Sequence, residues 1–176
     1  MFHSNRDGNF ELYVMNGDGS GVTRLTNHPG IDQFPDWSPD GQEIAFRRDT
    51  DVYVLDLRSG ESRFLTNTPP LNQMPAWSPD GKQLAFMSAR EGYASVFVMN
   101  SDGSGQRNLT PKDLDDDEIL WSSRAPSWST TGRRIYFMSS RPATGLDVEL
   151  FIMNADGTGT TQLTTSSGMD GSPRVR

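Results

Sequence analysis

The sequence predicts an all-β fold, a β-propeller of four four-stranded blades, and three observations carry that expectation. A tryptophan-turn motif, an apolar run and a Leu-Thr step recur in a fixed order along the 176 residues. Asp outnumbers Glu 17 to 6, and 17 Gly and 11 Pro are spread along the chain. Asp, Gly and Pro favour tight turns, whereas Glu, Lys and Ala favour helices. The apolar run shows no polar alternation, so its strand must be covered on both faces.

The elements follow in order. Trp37-Ser38-Pro39-Asp40-Gly41 returns 40 residues later as Trp77-Ser78-Pro79-Asp80-Gly81, and after a further 51 as the drifted Trp128-Ser129-Thr130-Thr131-Gly132. The segment ending in Trp is strand a. Proline fixes φ at the first turn position and glycine accepts the left-handed one. Ile44-Ala45-Phe46, Leu84-Ala85-Phe86 and Ile135-Tyr136-Phe137 form strand b. A loop holding Ser4/Arg6 or Ser88/Arg90 leads to strand c, and its hydrogen bonds are expected to tie neighbouring blades. Strand c is Leu12 to Met15, Val52 to Leu55, Val96 to Met99 and Leu150 to Met153. Asn-x-Asp-Gly turns starting at Asn16, Asn100 and Asn154 lead to strand d, which ends in Leu25-Thr26, Leu65-Thr66, Leu109-Thr110 and Leu163-Thr164.

A covered four-stranded unit repeating every 40 to 50 residues is a propeller blade sandwiched between its neighbours. The whole chain reads as a single propeller domain. Blade 1 is assigned to 1–30 plus 169–176, blade 2 to 31–70, blade 3 to 71–121 and blade 4 to 122–168. Phe2-His3-Ser4 reads as the tail of a strand b with no strand a before it. Asp170 to Arg176 aligns with Asp32 to Trp37 and reads as the missing strand a, so the C-terminal strand is expected to complete the N-terminal blade and leave no open edge. The alternative closure is a homodimer, in which two chains complete each other's split blade in an eight-bladed ring.

The run Ser4 to Ser20, with Arg24-Leu25-Thr26-Asn27 and Pro35-Asp36-Trp37-Ser38-Pro39-Asp40-Gly41, resembles the repeat of TolB-type β-propellers across nearly the whole chain. The resemblance implies a periplasmic or secreted scaffold that binds envelope proteins. TolB carries six blades and a separate α/β domain, and this chain shows four units. Similar repeats precede prolyl-oligopeptidase-type hydrolase domains and occur in carbohydrate-degrading propellers, so a hydrolase or lyase module is the alternative function.

The net charge of −7 argues against nucleic acid, because phosphate binding needs a basic face. Cysteine is absent and only His3 and His28 are present, which excludes disulfides and thiolate chemistry and leaves little for His-based catalysis. No apolar run approaches the roughly 20 residues of a membrane span. Met1 to Arg6 lacks the order of a signal peptide. Gly-x-Ser-x-Gly, His-Glu-x-x-His and phosphate-binding glycine loops are missing, so a non-catalytic binding module is expected.

Features repeated in every blade read as structural, and features found once as functional. Trp37, Trp77 and Trp128 share one position and are expected in the core with satisfied indole N–H groups. Where strand a enters near the axis stand Asp32-Gln33, Asn72-Gln73, Ser123-Arg124 and Asp170-Gly171. Asp32, Gln33, Asn72, Gln73, Arg124 and Asp170 are therefore the candidate ligand residues for a protein, peptide or small polar ligand. A single long loop carries Asp115, Asp116, Asp117 and Glu118. These are weak candidates for Ca²⁺, because oxygen clusters suit hard cations, although such runs are commonly solvated. No other cofactor is expected. Trp121 follows in the same loop, is a further candidate ligand residue, and is expected to pack over the pore mouth or in a contact surface.

Overall fold

The computed structural model describes residues 1–111, 122–140, 147–165, 168–171 and 173. Among the described residues, fifteen strands form four antiparallel meanders. The first sheet holds β1 (Phe2–Ser4), β2 (Glu11–Val14) and β3 (Thr23–Arg24), and the second β4 (Asp32–Trp37), β5 (Glu43–Arg48), β6 (Asp51–Asp56) and β7 (Ser62–Phe64). The third holds β8 (Asn72–Trp77), β9 (Gln83–Ser88), β10 (Ser95–Asn100) and β11 (Arg107–Asn108). The fourth holds β12 (Ser122–Trp128), β13 (Arg134–Ser140), β14 (Glu149–Asn154) and β15 (Thr161–Gln162). The propeller blades are thus the units that the repeat predicts.

The Leu-Thr step has a clear physical role. The hydroxyls of Thr26, Thr66, Thr110 and Thr164 accept the backbone N–H of Leu12, Val52, Val96 and Leu150 at 2.9–3.0 Å, closing each sheet past the end of its short last strand. Thr26 donates in turn to Glu11 Oε2 (2.5 Å), Thr66 to Asp51 Oδ1 (2.7 Å) and Thr164 to Glu149. The Asp residues of the turns are likewise engaged within them. Ser38 donates to Asp40, Ser78 to Asp80, Ser20 to Asp18 and Ser104 to Asp102 at 2.6–2.7 Å. These bonds and neighbouring backbone N–H groups hold Asp18, Asp40, Asp80 and Asp102 below the usual carboxylate range.

Apolar side chains fill the space between sheets. Leu12 meets Ile44, Phe46 and Leu55 between the first and second sheets. Val52, Val54 and Leu65 pack with Phe86, Phe97 and Met99 between the second and third. Val96, Val98 and Leu109 pack with Phe137, Phe151 and Met153 between the third and fourth. Close approach at these joints requires glycine. A Cβ on Gly103 would lie 3.0 Å from the Leu65 carbonyl oxygen, and one on Gly157 would lie 3.2 Å from that of Leu109. Each sheet also opens with a backbone bond to the one before it. Asp32 donates to Phe10 O, Asn72 to Thr50 O and Ser123 to Ala94 O, at 2.7–2.8 Å.

Asp170 repeats this step by donating to Val148 O at 2.8 Å, and Met169 bridges Val148 as Ser122 bridges Ala94. The segment therefore starts as a strand a should. The pairing expected between it and β1 falls on 172 and 174–176, which lie outside the described residues, as do Trp121, Asp115, Asp116, Asp117 and Glu118.

The tryptophans depart from the uniform role expected of them. Trp128 is 5% exposed and its Nε1 donates to Ala76 O at 3.1 Å, on the inner strand of the preceding sheet. Trp77 is buried, but its indole N–H finds no acceptor. Trp37 is 38% exposed, because the sheet before it has only three strands and no described inner strand for the indole to lie on.

Candidate functional site

The first strands of the sheets converge, with β1 packed on β4, β4 on β8 and β8 on β12, whereas β7, β11 and β15 contact chiefly the strand beside them in their own sheet. This wedge geometry brings the beginnings of β4, β8 and β12 to one inner edge. Each of these strands carries a β-bulge, with the register shifting between Gln33 and Asp36, Gln73 and Ala76, and Arg124 and Ser127. The extra residue at each bulge adopts a left-handed conformation, at Phe34 (φ 54°), Met74 (53°) and Ala125 (51°), just before a proline that lacks the N–H a ladder would use. The bulge changes which residues reach the edge, so Gln33 and its neighbour Phe34 both meet Arg47.

Two kinds of polar residue result. Asp32, Asn72 and Ser123 are buried and each meets a side chain of its own sheet, while Asn72 also reaches the second sheet, its Nδ2 donating to Thr68 O (2.7 Å) and Asp51 Oδ1 (3.1 Å). Arg48 clamps Asp32 through Nε to Oδ1 (2.8 Å) and Nη2 to Oδ2 (2.7 Å), with its guanidinium 5.1 and 5.2 Å from the Phe46 and Tyr53 rings. Arg90 plays the same part in the third sheet. Its Nη2 donates to Asn72 Oδ1 (3.1 Å), Nη1 to Gln106 Oε1 (2.7 Å) and Nε to Ser88 Oγ (2.8 Å). Ser123 shares a hydrogen bond with Ser139 (3.0 Å). Asp32 and Asn72, two of the candidate ligand residues, are fully buried strand anchors whose polar atoms are engaged within the protein. The Ser-x-Arg loop differs from expectation. Arg90 bonds inside its own sheet and reaches the preceding one through Gln106, whose Nε2 donates to Leu65 O at 3.0 Å.

The residues that follow these, Gln33, Gln73 and Arg124, are half-exposed along the edge. Between the first two lies Arg47, which the sequence analysis did not single out. Its Nη2 donates to Gln33 Oε1 at 2.7 Å and its Nη1 to Gln73 Oε1 at 2.9 Å, so it joins two sheets. The guanidinium lies 5.4 Å from the Phe34 ring, and its Nε is buried without a partner. Burial pulls the Arg47 pKa down, with the nearby Asp49 charge opposing. His3 packs edge-on against Phe34 at 5.5 Å and accepts its backbone N–H at 3.4 Å. Burial, aided by the Arg47 charge, lowers the His3 pKa, so the imidazole is neutral at pH 7. One signal could have revealed Arg47: Met87 and Met138 fill the same place opposite Gln73 and Arg124, making Arg47 the charged exception in a repeated row.

Asp170 is half-buried near the next step of the series. At the opposite end of the strands, a cavity of about 250 Å³ is lined by Ser78, Pro79, Asp80, Gln83, Trp128, Thr131 and Gly132, where the turns of the third and fourth sheets abut. Among the described residues, no three His, Asp or Glu side chains gather as a metal site.

Comparison with known proteins places this geometry. The family model for the dipeptidyl peptidase IV N-terminal region matches residues 2–74. The Tol-Pal system protein TolB of Francisella tularensis subsp. mediasiatica is 32% identical over 183 aligned residues, covering 99% of this chain and 40% of that protein. The chain thus spans less than half the length of this relative. The solved structure of a TolB from Agrobacterium tumefaciens superposes with a TM-score of 0.78 at 25% identity, covering 92% of this chain and 59% of that one. An oligogalacturonate lyase in complex with manganese shares the fold alone, with a TM-score of 0.69 at 16% identity over 94% of this chain and 49% of its own. Shared repeat motifs, sheet order and similarity over almost every residue lead to one conclusion: the chain carries the repeat and fold of a TolB-type β-propeller.

Proposed function

We propose that this chain is a binding scaffold without chemistry of its own, taking a protein or peptide partner at the inner edge formed by Gln33, Gln73 and Arg124. The observation that carries this reading is Arg124. Among the described residues its guanidinium has no hydrogen-bond or ion-pair partner, although it stands on a rigid strand in line with two amides from other sheets. A polar row on packed strands, with donors left over, suits recognition. The TolB-type repeat supports a periplasmic or secreted setting.

The test combines a displayed peptide library with a panel of glycoside and peptide substrates. The reading expects saturable peptide binding that weakens roughly tenfold or more in the Gln33→Ala/Gln73→Ala/Arg124→Ala variant. Turnover of a glycoside or peptide would replace it with the hydrolase or lyase alternative. Peptide binding unchanged in that triple variant would place the contact elsewhere.

A further inference from the structure

We infer that Arg47 is a docking point for a carboxylate, and that the partner at the inner edge is an acidic peptide. The inference rests on the binding reading above and adds the chemistry of the ligand.

Arg24, Arg48 and Arg63 each face a carboxylate, Glu11, Asp32 and Glu43 respectively, at 2.7–3.0 Å. Arg47 has no carboxylate at ion-pair distance among the described residues, and its hydrogen-bond acceptors are two neutral amide oxygens. A guanidinium partly removed from water, with amides in place of an anion, is an incompletely compensated charge. This occurs in a chain whose net charge is −7, where an arginine held by amides alone on an inner edge is conspicuous. Each terminal nitrogen carries two N–H groups and gives one to a glutamine. One N–H on each remains for a carboxylate, the anion whose planar two-oxygen edge matches the guanidinium fork. Gln33 and Gln73 hold that fork from two different sheets, so little ordering is left to binding.

The surroundings favour a peptide over an acidic sugar. Sugars seek an open aromatic face, but the Phe34 ring is flanked by Arg47 and His3. The half-exposed bulge residues Met74 and Ala125 instead offer adaptable apolar contacts along the same edge.

The experiment uses a fluorescein-labelled decapeptide rich in Asp and Glu, its Asn/Gln counterpart, and trigalacturonate as competitor. Fluorescence anisotropy is read against wild type, Arg47→Met and Gln33→Ala/Gln73→Ala. Methionine is the residue at this place in the next two sheets, and far-ultraviolet circular dichroism checks that the variant is folded. The wild type should bind the acidic peptide roughly tenfold or more tightly than the neutral one, and Arg47→Met should erase that preference. Equal binding of both peptides, unaffected by Arg47→Met yet weakened in Gln33→Ala/Gln73→Ala, would overturn the carboxylate assignment and leave the scaffold reading standing. No binding of either peptide overturns both. Arg47-dependent capture of trigalacturonate with no acidic-peptide binding overturns the peptide as partner.

Discussion

Between the second and third sheets Leu65 is 7% exposed, and between the third and fourth Leu109 is 4% exposed. On the outer side of the fourth sheet Leu163, the residue of the same motif, is 49% exposed. The receiving side shows the same contrast. Gly103 and Gly157 lie against the Leu65 and Leu109 carbonyls, whereas Gly19, in the same turn with nearly the same φ (+87° against +89° for Gly103), meets nothing within 4 Å. The joints between the second and third and between the third and fourth blades are therefore written in two halves, a leucine that offers its carbonyl and a glycine that makes room for it. Burial follows from the presence of a neighbour, and the residue type alone does not decide it.

Substitutions on the two sides test this contrast directly. The largest difference is expected for leucine: Leu65→Ala should cost about 2–4 kcal/mol of unfolding free energy, and Leu163→Ala less than about 0.5 kcal/mol, read by urea denaturation. Equal costs would show that the outer face is covered in solution. Next comes glycine. Both Gly103→Ala and Gly19→Ala force alanine into a left-handed backbone, so that strain cancels between them. Gly103→Ala should remain less stable by about 1 kcal/mol, because only there does the new methyl press on a backbone oxygen.

The smallest effect is read by pH. Burial raises the Glu11 pKa, but hydrogen bonds from Thr26, the His28 backbone, Arg24 and Asn9 outweigh it and hold the carboxyl below its usual range. A depressed carboxyl contributes stability that is present above its unfolded pKa, about 4.3 for glutamate, and lost as pH falls through the folded value. The third sheet has the non-titrating Ser95 at this place. Thermal melts from pH 6 to 3 should show wild type losing more of its Tm than Glu11→Gln. Parallel losses would remove Glu11 from the acid response.

Much of the fold was legible because a repeat states its own geometry several times. Turn residues that close on themselves, such as Ser38 with Asp40, are local and need no knowledge of the tertiary structure. Apolar strand c could be read as doubly covered for the same reason. The site was only half legible. Asp32 and Gln33 look equally available in sequence, and what separates them is Arg48, sixteen residues away, which takes the first and leaves the second at the edge. Arg47 was overlooked because it follows the apolar run Ile44-Ala45-Phe46 at the end of strand b, where nothing local sets it apart from Arg48. It reaches the inner edge only through the bulge that brings Phe34 and Gln33 together around it. Trp37 matched its repeats letter for letter, yet it is 38% exposed where Trp77 and Trp128 are buried.

The backbone bond by which Asp32, Asn72, Ser123 and Asp170 each attach to the preceding sheet has a mechanical corollary. Tension applied between the two ends would travel through these links in series, loading every blade only by way of the one beside it. Pulled from its termini, the molecule should lengthen in steps, yielding one blade at a time.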